Sequence, residues 1–297
     1  FKLYDGHDWK WFAVRLKHTD MEYLRKHWSG KKLRRQRWRK ARQIFPAFTY
    51  AEEVALNRTP VKEQTICSVD LGINTDAVCT IMRPDGTILG RKFINFPSDK
   101  DRMYRVLGRI RRFQREHGSR QVQGRWAYAK RLNTELGKKI AREIVFYASE
   151  NRADVIVFEY LEMKGKLSGK KKQKLQMWRK RDIQKRCGQQ AHRKGIRISR
   201  ICAWNTSRLA FDGSGKIDRD IQDHRLCTFQ NGKRYNCDLS ASYNIGARYF
   251  IREILKPLPA TERSLLEAKV PAVKRRTSCV YADLRELISE MELRKAA

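Results

Sequence analysis

A chain of 297 residues with 41% hydrophobic content can bury a substantial core, either as one large domain with appendages or as two domains. Its 66 Lys and Arg against 32 Asp and Glu give a formal net charge of +34, spread along the whole length, which calls for a polyanionic partner. No run of about 18 apolar residues exists to cross a bilayer, no signal peptide opens the chain, and seven scattered Cys do not form a disulfide framework.

The chain begins at Phe1 inside a strand-like run, so an earlier segment of a longer protein is expected. Residues 1–17, with the aromatic run Trp9-Lys10-Trp11-Phe12, read as the end of a β-rich unit. Residues 19–44 are dense in Lys and Arg with few turn formers and read as two basic helical segments. Within them Arg34, Arg35, Arg37, Trp38 and Arg39 interleave guanidinium groups with an indole, which suits phosphate contacts beside base stacking; a solvated basic helix is the plainer alternative. Pro46 and Pro60 bracket an expected linker.

From Gln64 the pattern becomes strand, turn, strand: 64–71, 76–82 and 87–94, with Asp85-Gly86 as the hairpin turn between the last two. Met103, Val106, Leu107, Ile110 and Phe113 then recur at helical spacing over 101–117, leaving Arg105, Arg109 and Arg112 on the other faces. A second helix over about 124–151 is expected to turn Ala127, Leu132, Leu136, Ile140, Ile144, Phe146 and Tyr147 inward. A buried strand, Ala153 to Glu159, follows it. The insertion 163–181, with Lys170, Lys171 and Lys172, reads as a loop that contacts phosphate. A helix of about 174–194, a strand 196–203, a turn-rich stretch 205–236, a helix 239–255, a Pro-marked linker and a terminal amphipathic helix 280–295 complete the order.

Three acids stand out. Asp70 ends an apolar β-branched run, Glu159 ends another, and Asp238 precedes a helix. Each has a plain reading: a turn residue, an exposed strand end, a helix N-cap. Together, in this element order, they fit an RNase H-like α/β fold in which the three converge at one sheet edge. Carboxylates without His or Cys suit Mg²⁺, and phosphodiester hydrolysis by two metal ions about 4 Å apart needs such a set.

Ser68-Val69-Asp70-Leu71-Gly72-Ile73-Asn74, Ile156-Val157-Phe158-Glu159-Tyr160-Leu161 and Asp238-Leu239-Ser240-Ala241-Ser242-Tyr243-Asn244-Ile245 resemble the three RuvC motifs of transposon-encoded TnpB nucleases and of type V CRISPR effectors. The resemblance covers roughly residues 62–256; Ser240 stands where the third motif commonly has Asn. It implies a RuvC-type mixed sheet flanked by helices, with Asp70, Glu159 and Asp238 as catalytic ligands for two Mg²⁺ ions (or Mn²⁺). It also implies a guide RNA and target DNA as partners, one or two chains on one RNA, no membrane, and a prokaryotic cytoplasmic, nucleoid-associated setting. The family usually carries a zinc ribbon before the third motif. Here Thr206, Ser207 and Gly232 hold their places, but the four ligand positions read Ala210, Gly213, Thr228 and Asn231, so a Cys₄ site cannot form and zinc is not expected. Cys202, His224, Cys227 and Cys237 lack the paired spacing to replace it.

The expected divisions are therefore 1–61, a wedge-like β and basic-helix unit with linker; 62–204, the first part of the nuclease domain; 205–236, a degenerate ribbon, expected to be mobile without nucleic acid; 237–256, the last motif and helix; and 257–297, linker and terminal helix. Two other functions stay open: a guided DNA-binding protein that does not cut, and an unguided RNase H-fold nuclease or transposase.

Overall fold

The computed structural model describes residues 2–4, 6–11, 13, 15–28, 32–40, 44–51, 53–118, 122–160, 179–275 and 277–296; side chains are excluded at 2–4, 27–51 and 295–296. The chain divides into two units, Phe1–Ala55 and Leu56–Ala297.

In the first unit, strands β1 (Lys2–Tyr4) and β2 (Trp9–Trp11) pair antiparallel, followed by helix α1 (His18–Trp28). The second basic segment is not helical. Lys32–Lys40 is a strand, β3, paired antiparallel with β4 (Ile44–Ala51). Ile, Phe, Thr and Tyr in β4 are strong strand formers, and pairing with them overrides whatever helical preference the Arg-rich segment has. Pro46, expected to begin a linker, lies inside β4, which can take it because this sheet has only two strands and both are edges.

The second unit is built on a five-stranded mixed sheet in the order β7-β6-β5-β8-β9, comprising β5 (Ile66–Asp70), β6 (Ala77–Met82), β7 (Ile88–Ile94), β8 (Val155–Tyr160) and β9 (Arg197–Cys202). The hairpin-linked strands β5, β6 and β7 run antiparallel, whereas β5, β8 and β9 run parallel. Helices α2 (Pro97–His117) and α3 (Gln123–Glu150) form the crossover into β8, and α4 (Lys180–His192) connects β8 to β9. After the sheet come α5 (Cys237–Leu255), α6 (Ala260–Lys269) and α7 (Tyr281–Ala296).

Both faces of the central strands are covered, which is why they read as continuous apolar runs. Ile66, Val155, Val157 and Ile201 face α5, α6 and α7, whose Phe250, Leu255, Leu266, Leu284 and Leu287 complete that core. Cys67, Val69, Ile156 and Phe158 point to the opposite face, against Ile140 and Ile144 of α3 and Ile183 and Cys187 of α4. Helix α5 is buried along most of its length. It approaches the sheet so closely that a Cβ at Gly246 would lie 2.8 Å from the Met82 methyl and 3.2 Å from Ser68 Oγ. The hydroxyls of Thr80 and Ser242 hydrogen-bond across this contact at 2.6 Å.

Helix α3 turns inward a broader face than its large residues suggest: Ile140 and Ile144 are buried, and Leu132 and Leu136 pack partly buried against the cores. Ala127 and Phe146 are exposed and Tyr147 is half-buried, while Ala129, Gly137, Ala141, Val145 and Ala148 join Ile140 and Ile144 inside. Small residues let the helix lie close to its neighbours, and counting only bulky side chains misses that part of the face. The Pro-rich segment after α5 is largely helical, because Pro259 immediately precedes α6 and Pro271 opens a 3₁₀ turn, Pro271–Lys274, positions where a missing N–H costs nothing. The terminal helix packs on its own unit through Leu284 and Leu287, with Ile288 and Met291 partly buried beside them.

Candidate active site

Parallel strands β5 and β8 end side by side, and each presents its acid there. Asp70 is the last residue of β5, and the turn that follows is tight: any side chain on Gly72 would strike the Thr75 carbonyl. Glu159 is the penultimate residue of β8. Asp238 sits in the first turn of α5, where the helix dipole favours an anion. It is not the N-cap; Asn236 caps the helix, its Oδ1 accepting from Leu239 N at 2.9 Å.

The three acids line one cavity of about 360 Å³, with Gly72, Asn74, Lys180, Thr206, Arg219, His224 and Arg225 among the other lining residues. Asp70 and Glu159 are buried, 8% and 9% exposed, and Asp238 is half-buried. Burial, then Glu159 and Asp238, pushes Asp70 well above the ordinary carboxylate range, with Lys180 and Arg219 opposing. Burial raises Glu159 as well, opposed by a hydrogen bond from the Thr206 hydroxyl and by Lys180 and Arg248. Asp238 is raised by burial against a hydrogen bond from Thr75 and the charges of Arg219 and Arg225. Carboxylates crowded in this way are short of positive charge, and a set of hard oxygen donors fits Mg²⁺ or Mn²⁺. Among the described residues, however, no three His, Cys, Asp or Glu side chains gather as the ligands of a single ion.

Two residues of α5 tie the surroundings together. Asn244 Nδ2 donates to the carbonyls of Thr206 at 3.0 Å and Leu209 at 2.9 Å, and its Oδ1 accepts from Tyr281 N at 3.0 Å. Four residues on, the buried Arg248 donates to the carbonyls of Cys279, Cys202 and Trp204 at 2.7–2.9 Å. Thr75, Lys180, Thr206, Arg219 and Arg248 all bear on the acids, yet none was a candidate from the sequence. Thr206 carried a signal there as a ribbon landmark, and Lys180 fell within the insertion 163–181 read as a phosphate-contacting loop.

The stretch 205–236 is a lobe of three short antiparallel strands, β10 (Asp218–Arg219), β11 (Leu226–Thr228) and β12 (Arg234–Asn236). It has its own apolar cluster of Ala210, Cys227, Phe229 and Cys237, with Phe211, Ile217 and Tyr235 packed against it. Ala210, Gly213, Thr228 and Asn231 sit in or beside two tight turns, Gly213 N donating to Ala210 O and Gly232 N to Phe229 O. Asn231 Nδ2 bonds Asp212 Oδ2 at 3.0 Å across them. Cys202, by contrast, ends β9, and His224 lines the acid cavity.

Arg105, Arg109 and Arg112 lie on exposed faces of α2. The loop at Gly72–Asn74 also walls a second cavity, of about 630 Å³, lined by Lys100, Tyr104, Leu107 and Arg111 of the same helix. Arg34, Arg35, Arg37, Trp38 and Arg39 are on β3 in the first unit, their side chains outside the described set, and Lys170, Lys171 and Lys172 lie outside the described residues. Among the described residues no helix is long and apolar enough to cross a membrane.

No protein-family model matches the chain, and no curated protein matches it. Among solved structures it is similar to a Cas12f1–sgRNA–target DNA complex, with 17% identity and a TM-score of 0.50 over 70% of this chain and 54% of that one. It is also similar to a CRISPR-Cas12f ternary complex (14% identity, TM-score 0.45, 82% of this chain and 50% of that one) and to an AacC2c1–sgRNA binary complex (10%, 0.46, 84% and 43%). The chain thus spans about half the length of these solved proteins. At such identities the likeness to the Cas12f1 chain is one of fold: a five-stranded mixed sheet with its helices and a small antiparallel sheet beside it.

Proposed function

We propose that the chain is the RuvC-type nuclease portion of an RNA-guided DNA endonuclease, with Asp70, Glu159 and Asp238 as its catalytic acids. The observation that carries this reading is the meeting of three acids from three separate motifs in one cavity at a sheet edge, in a chain of net charge +34. The sheet order β7-β6-β5-β8-β9 is the one expected of an RNase H-like fold, and the fold likeness to the Cas12f1 chain supports the guided version of that reading.

Asp70, Glu159 and Asp238 would hold divalent ions, which when bound supply an activated water and stabilise the leaving oxygen. The chain's own residues prepare that chemistry. Thr206 fixes one oxygen of Glu159, Thr75 holds Asp238, and Arg219 balances Asp70 and Asp238 without filling the cavity. Exposed guanidinium groups of α2, with those of β3 and the Lys170 to Lys172 run, would grip phosphates while base pairing in the guide duplex reads sequence.

The test is cleavage of guide-matched DNA by the full protein with its RNA in Mg²⁺. The intact protein cuts and Asp70→Ala does not; cleavage that survives in Asp70→Ala overturns the assignment. A second reading, guided binding without cutting, is favoured by Ala210, Gly213, Thr228 and Asn231 standing where a zinc ribbon would place its ligands. It prevails if matched DNA is bound but stays whole in both Mg²⁺ and Mn²⁺.

A further inference from the structure

We propose that Lys180 is a resident counter-cation of the acid cavity: its ammonium balances Asp70 and Glu159 while no divalent ion is bound and is displaced when one enters. This rests on the nuclease reading, in that Asp70 and Glu159 are taken as ligands of the divalent ion.

The placement follows from how α4 is anchored. Ile183 and Cys187 bury its inner face against the sheet, and Gln184 Nε2 donates to the main-chain carbonyl of Glu159 at 2.9 Å. Residues four apart share a helix face. Lys180, one turn before Gln184, is thereby carried to the end of β8 and lines the cavity with Asp70, Glu159 and Asp238. A cation in the first turn opposes the helix dipole, so the helix itself gains nothing from a lysine there.

The cations around the cavity divide the work. Arg219 acts on Asp70 and Asp238, Arg225 on Asp238, and Arg248 on Glu159, whereas Lys180 acts on both Asp70 and Glu159. Those are the two carboxylates presented by neighbouring strand ends, where an ion between them would place its charge. Arg248 is locked by three carbonyls and cannot leave. Lysine is a point charge on a flexible four-carbon stem and can swing out. The consequence is a site that resists emptying its charge balance: a divalent ion must compete with the ammonium, and a nucleic-acid phosphate arriving at the cavity gives that ammonium a new partner.

Two measurements on the full protein with its RNA, without DNA, test this. Calorimetric titration with Mn²⁺ should show tighter binding in Lys180→Met than in the wild type, by about tenfold for one removed cation near the ions. Lys180→Arg should stay near wild type. The metal-free Lys180→Met protein should also melt lower, with the gap closing in saturating Mg²⁺. The second measurement needs no variant: amine acetylation of Lys180, read by peptide mass spectrometry, should rise several-fold when Mn²⁺ is added. Unchanged Mn²⁺ affinity in Lys180→Met, or acetylation indifferent to Mn²⁺, overturns the proposal. Both readouts are independent of cleavage. Their presence in a protein that never cuts would defeat the nuclease reading alone, and their absence in one that cuts would defeat the Lys180 assignment alone.

Discussion

The acid cavity and the neighbouring lobe, residues 205–236, meet at the start of α5 and have been treated differently by their sequences. In the cavity, Asp70, Glu159 and Asp238 remain buried or half-buried despite mutual repulsion. In the lobe, the positions that would be metal ligands in a ribbon are Ala210, Gly213, Thr228 and Asn231; Ala210 is buried in the lobe's apolar cluster and the other three are exposed. Phe211 is the hub, touching Phe229, Tyr235, Tyr243 and Tyr281 at ring separations of 5.0–6.0 Å. A metal that only staples a fold can be replaced by packing, since both contribute folding free energy. A cluster of carboxylates has no packing substitute, because its worth lies in charge. Its retention is at the expense of stability.

That contrast is broken most decisively at Asp70. Asp70→Asn should bring cleavage down to background and, unusually for a buried substitution, raise the stability of the metal-free protein. The sign follows from the direction of the shifts. Asp70, Glu159 and Asp238 are held above their ordinary values of 3.8, 4.5 and 3.8, so over that window the folded chain binds more protons than the unfolded chain. The stability contributed by these acids is therefore present at low pH and lost as pH rises through their folded values. The melting-temperature advantage of Asp70→Asn in chelator should grow from about pH 4 to neutrality and shrink in saturating Mg²⁺. A variant that melts below the wild type at neutral pH in chelator would show that the acids are structural partners, and the comparison would fail.

The lobe should respond in the opposite sense. Phe211→Ala removes the ring that joins the lobe cluster to Tyr243 of α5 and Tyr281 of α7, and should cost about 2–4 kcal/mol by denaturant unfolding, as expected for truncating a packed aromatic. Cleavage should fall less than stability does, because Phe211 does not line the acid cavity. A cost under about 0.5 kcal/mol would mean that the lobe is held by something other than its aromatic packing.

What could be read from the sequence follows the same division. Elements with a local period were legible: the hairpin through Asp85-Gly86, where Gly86 takes φ +84°, and the five apolar positions of α2, of which Met103 and Ile110 are buried. Strand β3 was not, since Lys32–Lys40 carries no apolar alternation and owes its form to the partner strand. Helix α6 was hidden because Pro259 and Pro271 read as linker residues when they stand at helix starts. The acids were legible because each sits at the end of a strand or the start of a helix, where a carboxylate interrupts an apolar pattern. Lys180 was not, being one cation in a run dense with them. Its distinction comes from lining the acid cavity one turn before Gln184, which bonds the Glu159 carbonyl.

The smallest expected effect tests whether a polar clasp adds to the lobe's apolar packing. Asn231 stands where a ribbon would place a ligand and bonds Asp212 at 3.0 Å, while its own Oδ1 accepts from Lys233 N at 3.1 Å. Asp212 keeps two further bonds, from Ser214 N and Ser214 Oγ. Both Asn231 and the bond to Asp212 are exposed, so water can replace what Asn231→Ala removes. The loss should be about 0.5–1 kcal/mol, well below that of Phe211→Ala, with chelator changing neither. A loss above about 2 kcal/mol would place the lobe's stability in the Asn231–Asp212 clasp, polar and local instead of apolar and distributed.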